Sequence, residues 1–359
     1  MTEHVTNLCR TPLNGQIYNL NRIRSFLDMD TGITLIVRTA RVPSMLDYAS
    51  STWTYAGAGD TDQSFWKDIP GSSCDGSSQS PINIVTKWTR DIEYASFNLE
   101  SYEDVTMDAT VENNGHALEV EISGSDDTGY YDITGGGLTG TFRAYQFHFH
   151  FGSTKRQGSE HTIDGERYPA EMHIVHYDTA FEAPGSAIQN KGGIAVLGFF
   201  LEEDDEDNEA LDKILDQVSH IMQPHTDEEI HDLTLSSLLP SSLDKFWRYD
   251  GSLTTPLCNE VVTWTLFEDT IKISKSQLQT MRQLMCEAVD EDGNEMHMYD
   301  NYRDIQDRNL RTIYSVVTDD DDGDDGHFHP SPTDDAARSS PGMVTVILAA
   351  FITTFVFRL

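Results

Sequence analysis

Basic residues are scarce in this chain: 24 lysines and arginines stand against 60 acidic residues, a formal charge of −36. A polyanion needs a basic face, so nucleic acid is excluded as a partner. Cysteine is scarce as well. Cys9, Cys74, Cys258 and Cys286 form no C-x-x-C pair, which argues against a thiolate zinc knuckle or a thioredoxin-type centre. They leave room for one long-range disulfide in an oxidising compartment. The chain has no N-x-S/T acceptor, no internal repeat and no acidic loop at EF-hand spacing. No apolar run reaches the roughly 20 residues of a comfortable membrane helix. Residues 1–30 mix Glu3, Arg10, Arg22, Arg24 and Asp28 and hold no apolar core of a secretory signal, so no N-terminal signal peptide is evident.

What is present suffices for a sizeable core: 38% of residues are hydrophobic and 10% aromatic. Residues 1–50 show no clear period and read as a leader of uncertain structure. Residues 51–318 read as one domain. Short apolar alternations at 117–122, 142–151, 172–177 and 194–201 predict strands. Amphipathic spacing predicts helices over 209–221 and 276–289, the second capped by Ser274 or Ser276. The acidic run at 202–209 is expected to be a solvated loop. A second acidic run opens residues 319–342, a Ser-, Pro- and Gly-rich stretch with the composition of a disordered stalk. The tail, 343–359, contains a 15-residue uncharged apolar run behind small and polar residues such as Ala336 and Ser339. That arrangement resembles a GPI-anchor signal, with a short membrane anchor or a buried terminal helix as alternatives. The expected location is the extracellular face of the plasma membrane, attached through the tail.

The decisive segment is QFHFHFG at 146–152. Side chains alternate on a strand, so Gln146, His148 and His150 share one face while Phe147, Phe149 and Phe151 share the other. Two imidazoles at i and i+2 can grip one metal ion. EMHIVHY at 171–177 supplies a third, His173, beside Glu171. Imidazole ligands give their other ring nitrogen to a carboxylate or carbonyl, a role that Gln146 and Glu171 suit. Three histidines leave the fourth tetrahedral position open, the mark of a catalytic zinc site, so the expected cofactor is one catalytic Zn2+.

With these motifs in hand, the stretch from about Trp53 to Val317 resembles an α-class carbonic anhydrase of the secreted or membrane-anchored type. The matching segments follow in the family's order: Trp53 to Tyr55, Gln79-Ser80-Pro81 with Ile82-Asn83-Ile84, Asn113-Asn114-Gly115-His116, and QFHFHFG. Ser159-Glu160-His161-Thr162, EMHIVHY, Gly251-Ser252-Leu253-Thr254-Thr255-Pro256 and Asn301-Tyr302-Arg303 complete them. The resemblance implies a mixed, β-rich α+β fold. It would be a single domain around a large central twisted, mainly antiparallel sheet of about ten strands with a few peripheral helices. It implies reversible hydration of carbon dioxide to bicarbonate and a proton through a zinc-bound hydroxide, held by His148, His150 and His173. Thr254 would accept the hydroxide's proton and pass its own to Glu160, and Thr255 would place bicarbonate. Val175, Val196, Leu253, Val262 and Trp264 would form the dry wall for carbon dioxide. His116 would shuttle the proton to solvent through waters held by Tyr55 and Asn114. Asn301 would support the ligands from behind. Sulfonamides are expected inhibitors, and no protein partner is predicted.

The resemblance also pairs Cys74 with Cys258, where secreted members carry a disulfide, and leaves Cys9 and Cys286 unpaired. Three departures stand out. Glu119 replaces the family's Asn or Gln on the water chain, where a carboxylate is expected to slow proton transfer or to raise the pKa of His116. Phe151 replaces a Trp. Leu257 replaces the second proline of Thr-Thr-Pro-Pro, so its peptide bond is expected to be trans, whereas Ser80-Pro81 is a candidate cis bond.

Overall fold

In the computed structural model, residues 53–56, 61–104, 106–124 and 129–318 are described, with the backbone of two short paired strands, Arg24–Leu27 and Thr34–Val37. The rest of the leader with Cys9, the acidic stalk and the apolar tail lie outside the described residues.

Alternation of apolar and polar side chains lays most of the domain out as one sheet. Its main strands, in chain order, are β1 Arg90–Tyr94, β2 Met107–Asn113, β3 Leu118–Ile122, β4 Phe142–Phe151 and β5 Ala170–Asp178. They continue with β6 Ile194–Asp204, β7 Thr226–Leu233, β8 Lys245–Gly251, β9 Val262–Phe267 and β10 Tyr314–Thr318. Their order across the sheet is β7-β2-β3-β4-β5-β6-β9-β8-β10-β1, and three shorter strands bring the total to 13. Neighbours run antiparallel except β6 with β9 and β10 with β1. The expected architecture is therefore present, in a sheet somewhat larger than expected.

The alternation in β4 sets the layering. Phe147, Phe149 and Phe151 are fully buried in the larger core with Met172, Ile174 and Phe199. Burying each phenylalanine contributes roughly 1.5–3 kcal/mol. The opposite face turns toward a second apolar cluster that includes Val175, Val196, Leu253 and Trp264. A bulge between Val175 and His176 shifts the register, and His176 packs into the first core. There it is held by the Tyr102 hydroxyl and the Ala195 carbonyl, so it is no part of the imidazole cluster on the other face.

Four expectations are corrected. The first helix is capped by Asn208 and spans only Glu209–Leu215. Val218 and Ile221 remain buried in tighter turns beyond it. The second helix, capped by Ser274, stops at Met281, and Met285–Val289 is a strand paired with Glu295–His297. Tertiary hydrogen bonds from Met285 N–H to Met222 O and from Glu287 N–H to Gly115 O win over helical periodicity there. The acidic run is not all loop: Glu202, Glu203 and Asp204 extend β6 and pair with Lys272, Ile273 and Ser274. Lys272 and Lys275 offset that charge by pairing with Glu202 and Glu203. Finally, Pro256–Leu257 is cis although no proline follows, as is Ser80–Pro81. The neighbouring turn is pinned by Cys258 N–H to Thr255 O at 2.8 Å and by the Cys74–Cys258 disulfide, so tertiary closure overrides the local trans preference.

Candidate metal centre

Antiparallel pairing puts His148 directly opposite His173 and His150 opposite Glu171. The alternation that buries the phenylalanines thus gathers the imidazoles on the other face. Ring centroids of His148 and His150 are 5.0 Å apart, those of His148 and His173 5.2 Å, and those of His150 and His173 4.7 Å. One ligand nitrogen from each lies within 4.8 Å of the other two.

Each ring spends one nitrogen outward. Nδ1 of His148 is 2.8 Å from Gln146 Oε1, and Nδ1 of His150 is 2.7 Å from the Asn301 carbonyl. Nε2 of His173 is 2.7 Å from Glu171 Oε1. Nε2 of His148, Nε2 of His150 and Nδ1 of His173 remain to face one another. His150 Nε2 is buried with no hydrogen-bond partner among the described residues, and so is Glu160 Oε2, 3.5 Å from it. An orphaned buried polar atom costs about 1–3 kcal/mol, which a bound cation removes. Burial pushes the pKa values of His148 and His150 down, with the neighbouring imidazoles acting in the same direction, so both rings are neutral and lone pairs are available. Three imidazoles, each with one ring nitrogen held by an outer partner, are the donor set zinc takes at catalytic sites, and the residues fit that ion.

A second close group, His161, Glu171 and His173, is a hydrogen-bond chain rather than a ligand set. Glu171 Oε1 meets both His161 Nδ1 and His173 Nε2 at 2.7 Å, and His161 Nε2 meets the Tyr249 hydroxyl at 2.6 Å. Tyr249 in turn donates to Ser80 Oγ. Burial works to raise the Glu171 carboxyl, yet its electrostatic interactions and hydrogen bonds with His161 and His173 outweigh it and hold it well below the usual carboxylate range. Sequence reasoning missed His161 and Tyr249 in this chain, and their spacing carries no signal for it.

Above the imidazoles lies a narrow cavity of about 40 Å³. Polar Tyr55, His116, Glu119, Gln146, Thr254 and Thr255 line it together with Val175, Val196, Leu253 and Trp264 of the second apolar cluster. Ala117, not anticipated, also lines it. Val262 does not: it is buried in the second apolar cluster. Asn114 serves the turn, its Oδ1 accepting from the His116 and Ala117 N–H groups. Asn301 donates from Nδ2 to the His116 and Phe149 carbonyls and accepts from Phe151 N–H, locking β4 and the His116 turn together. Glu160 Oε1 accepts from Arg303 N–H at 2.8 Å, but no Thr254–Glu160 hydrogen bond forms.

His116 is 9% exposed, its ring stacked on Trp53 at 3.8 Å. Burial pulls its pKa down to about 4, against the opposing pull of Glu287. The carboxylate that faces it is Glu287, 3.4 Å from Nε2, and not Glu119. Glu119 Oε2 instead accepts from Asn114 and Gln146 at 3.1 Å each. The expected rise in the His116 pKa is thus reversed. Glu287 escaped sequence reasoning because it lies in the stretch read as helix.

A family model described as eukaryotic-type carbonic anhydrase matches residues 61–317. Carbonic anhydrase 7 of Mus musculus is 36% identical over 233 residues, covering 64% of this chain and 85% of that protein. Carbonic anhydrase 7 of Homo sapiens is likewise 36% identical over 233 residues, with the same coverage of 64% and 85%.

Proposed function

The chain belongs to the eukaryotic-type carbonic anhydrase family, and from that premise we propose that it hydrates carbon dioxide at one zinc ion held by His148, His150 and His173. Zinc at such a site makes water nucleophilic at neutral pH, chemistry for which this family is itself the standard instance.

The chain's own residues do the rest. Gln146, the Asn301 carbonyl and Glu171 keep the three rings in one tautomer each. Val175, Val196, Leu253 and Trp264 offer carbon dioxide an apolar wall that excludes water on that side. Thr254 and Thr255 border the wall and orient the oxygens of bicarbonate. Glu160, buried beside His150, is placed to receive the Thr254 hydroxyl proton once that side chain turns toward it. His116 takes up the released proton at its ring from waters along Tyr55 and the polar wall.

One observation carries this reading: the three rings each keep one nitrogen free of its outer partner, these ligand atoms lie within 4.8 Å of one another, and the rings line a cavity shared by polar and apolar side chains. The test is direct. The full chain should bind one equivalent of zinc, hydrate carbon dioxide, and lose that activity to an aromatic sulfonamide. Stoichiometric zinc without hydration would sink the reading.

We also propose a tether to the outer face of the plasma membrane through the apolar tail. The tail's GPI-like composition and a disulfide suited to an oxidising compartment support it. Release from cells by a phosphatidylinositol-specific phospholipase tests it, and retention after treatment speaks against a lipid anchor.

A further inference from the structure

His116 lies in the wall of the cavity and is almost wholly buried. Trp53 covers one face of its ring, and Nε2 points away toward Glu287. A proton received there needs an onward acceptor before it reaches buffer. Glu287 bridges two imidazoles: its Oε2 is 3.4 Å from His116 Nε2, and its Oε1 makes a hydrogen bond with His225 Nε2. The exposure rises along the row, with His116 side chain 10% exposed, Glu287 26% and His225 62%.

This row is built rather than incidental. Asn113 donates from Nδ2 to the Met222 and Met285 carbonyls, tying together the loops that carry His225 and Glu287. Its own carbonyl accepts from His225 N–H, and the Gly115 carbonyl accepts from Glu287 N–H. Gly115 has φ +89, and a Cβ there would stand 2.5 Å from Glu287 Cγ, so only glycine lets the carboxylate approach the His116 turn.

We propose that Glu287 and His225 form the proton exit from His116, which therefore reaches solvent indirectly. The proposal rests on the shuttle role of His116. The His116 imidazolium gives its Nε2 proton to Glu287 Oε2 and becomes neutral. The carboxyl group turns about Cγ–Cδ and hands the proton to Nε2 of neutral His225. The His225 imidazolium then releases a proton to buffer, and the Glu287 carboxylate is restored. The 3.4 Å gap contracts when His116 becomes charged opposite the carboxylate.

The experiment measures hydration by the zinc-loaded full chain in dilute, non-transferring buffer. Glu287→Gln keeps the shape but accepts no proton, and His225→Gln alters a side chain that is 62% exposed. Each should lower kcat about fivefold while kcat/KM changes less than about twofold, because only proton release is slowed. Added imidazole should restore kcat in both. His116→Ala, run alongside, should lower kcat at least about tenfold. If His116→Ala lowers kcat and both other variants keep wild-type kcat, the exit is overturned and the shuttle stands. If His116→Ala itself leaves kcat unchanged, the shuttle reading fails, and the exit fails with it. A loss in either relay variant that imidazole does not rescue also overturns the relay, since it marks a structural fault.

Discussion

The floor of the cavity and its rim are assembled by different means. The floor consists of His148, His150 and His173 on two adjacent strands. Their positions follow from strand alternation and one antiparallel register, and two of their three outer partners, Gln146 and Glu171, sit two residues away on the same strand face. The rim carries His116, and behind it stand Glu287 and His225, each on a different loop or strand. Hydrogen bonds of Asn113, Gly115 and Asn301 and the Glu287–His225 contact hold them together. A site made by regular pairing is rigid and repeatable. One made by loops is adjustable.

The strongest way to break this contrast is at the floor. His173→Ala should leave the fold in place but abolish both stoichiometric zinc and carbon dioxide hydration, measured by metal analysis and initial rates. Retained zinc would show that two imidazoles suffice and that the floor is not a unit. Next comes the back of the neighbouring strand, β4. Phe149→Ala should cost about 3–5 kcal/mol in denaturant unfolding, since a fully buried ring leaves a cavity in the core. Reducing the Cys74–Cys258 disulfide, which spans a sequence separation of 184, should cost about 2–5 kcal/mol. Gln146→Ala, which frees the His148 tautomer, should weaken zinc binding about 10- to 100-fold in a chelator competition. The smallest effect belongs to the rim's support. Ser274 accepts from Gln277 N–H to cap the helix ahead of the Glu287 strand. Ser274→Ala should cost about 1 kcal/mol of stability and leave zinc affinity unchanged.

The floor was legible because its signal is local. Gln146, His148 and His150 alternate with phenylalanines within one strand, and Glu171 and His173 repeat the pattern in the next. The Ser274 cap was legible for the same reason. The end of that helix was not. The apolar spacing through Met285 and Ala288 is helical, yet Met222 and Gly115 offer the backbone hydrogen bonds that make a strand there. Glu202 and Glu203 read as solvated loop because their charge is visible in sequence, whereas the lysines beside them arrive from elsewhere in the chain. Val262 alternates correctly with Trp264, but whether a buried valine lines a cavity or backs one depends on layers the strand pattern does not encode.

What the sequence determined by itself is the metal-binding face, because strand periodicity of two places side chains without reference to the rest of the molecule. It likewise set the polar and apolar sides of β4 and the family to which the chain belongs. Only the tertiary structure decided what surrounds His116. The Trp53 stack, the Glu287 carboxylate and exposed His225 come from distant segments brought together by a few side-chain-to-backbone hydrogen bonds. Such contacts follow from three-dimensional packing, and no spacing along the chain announces them.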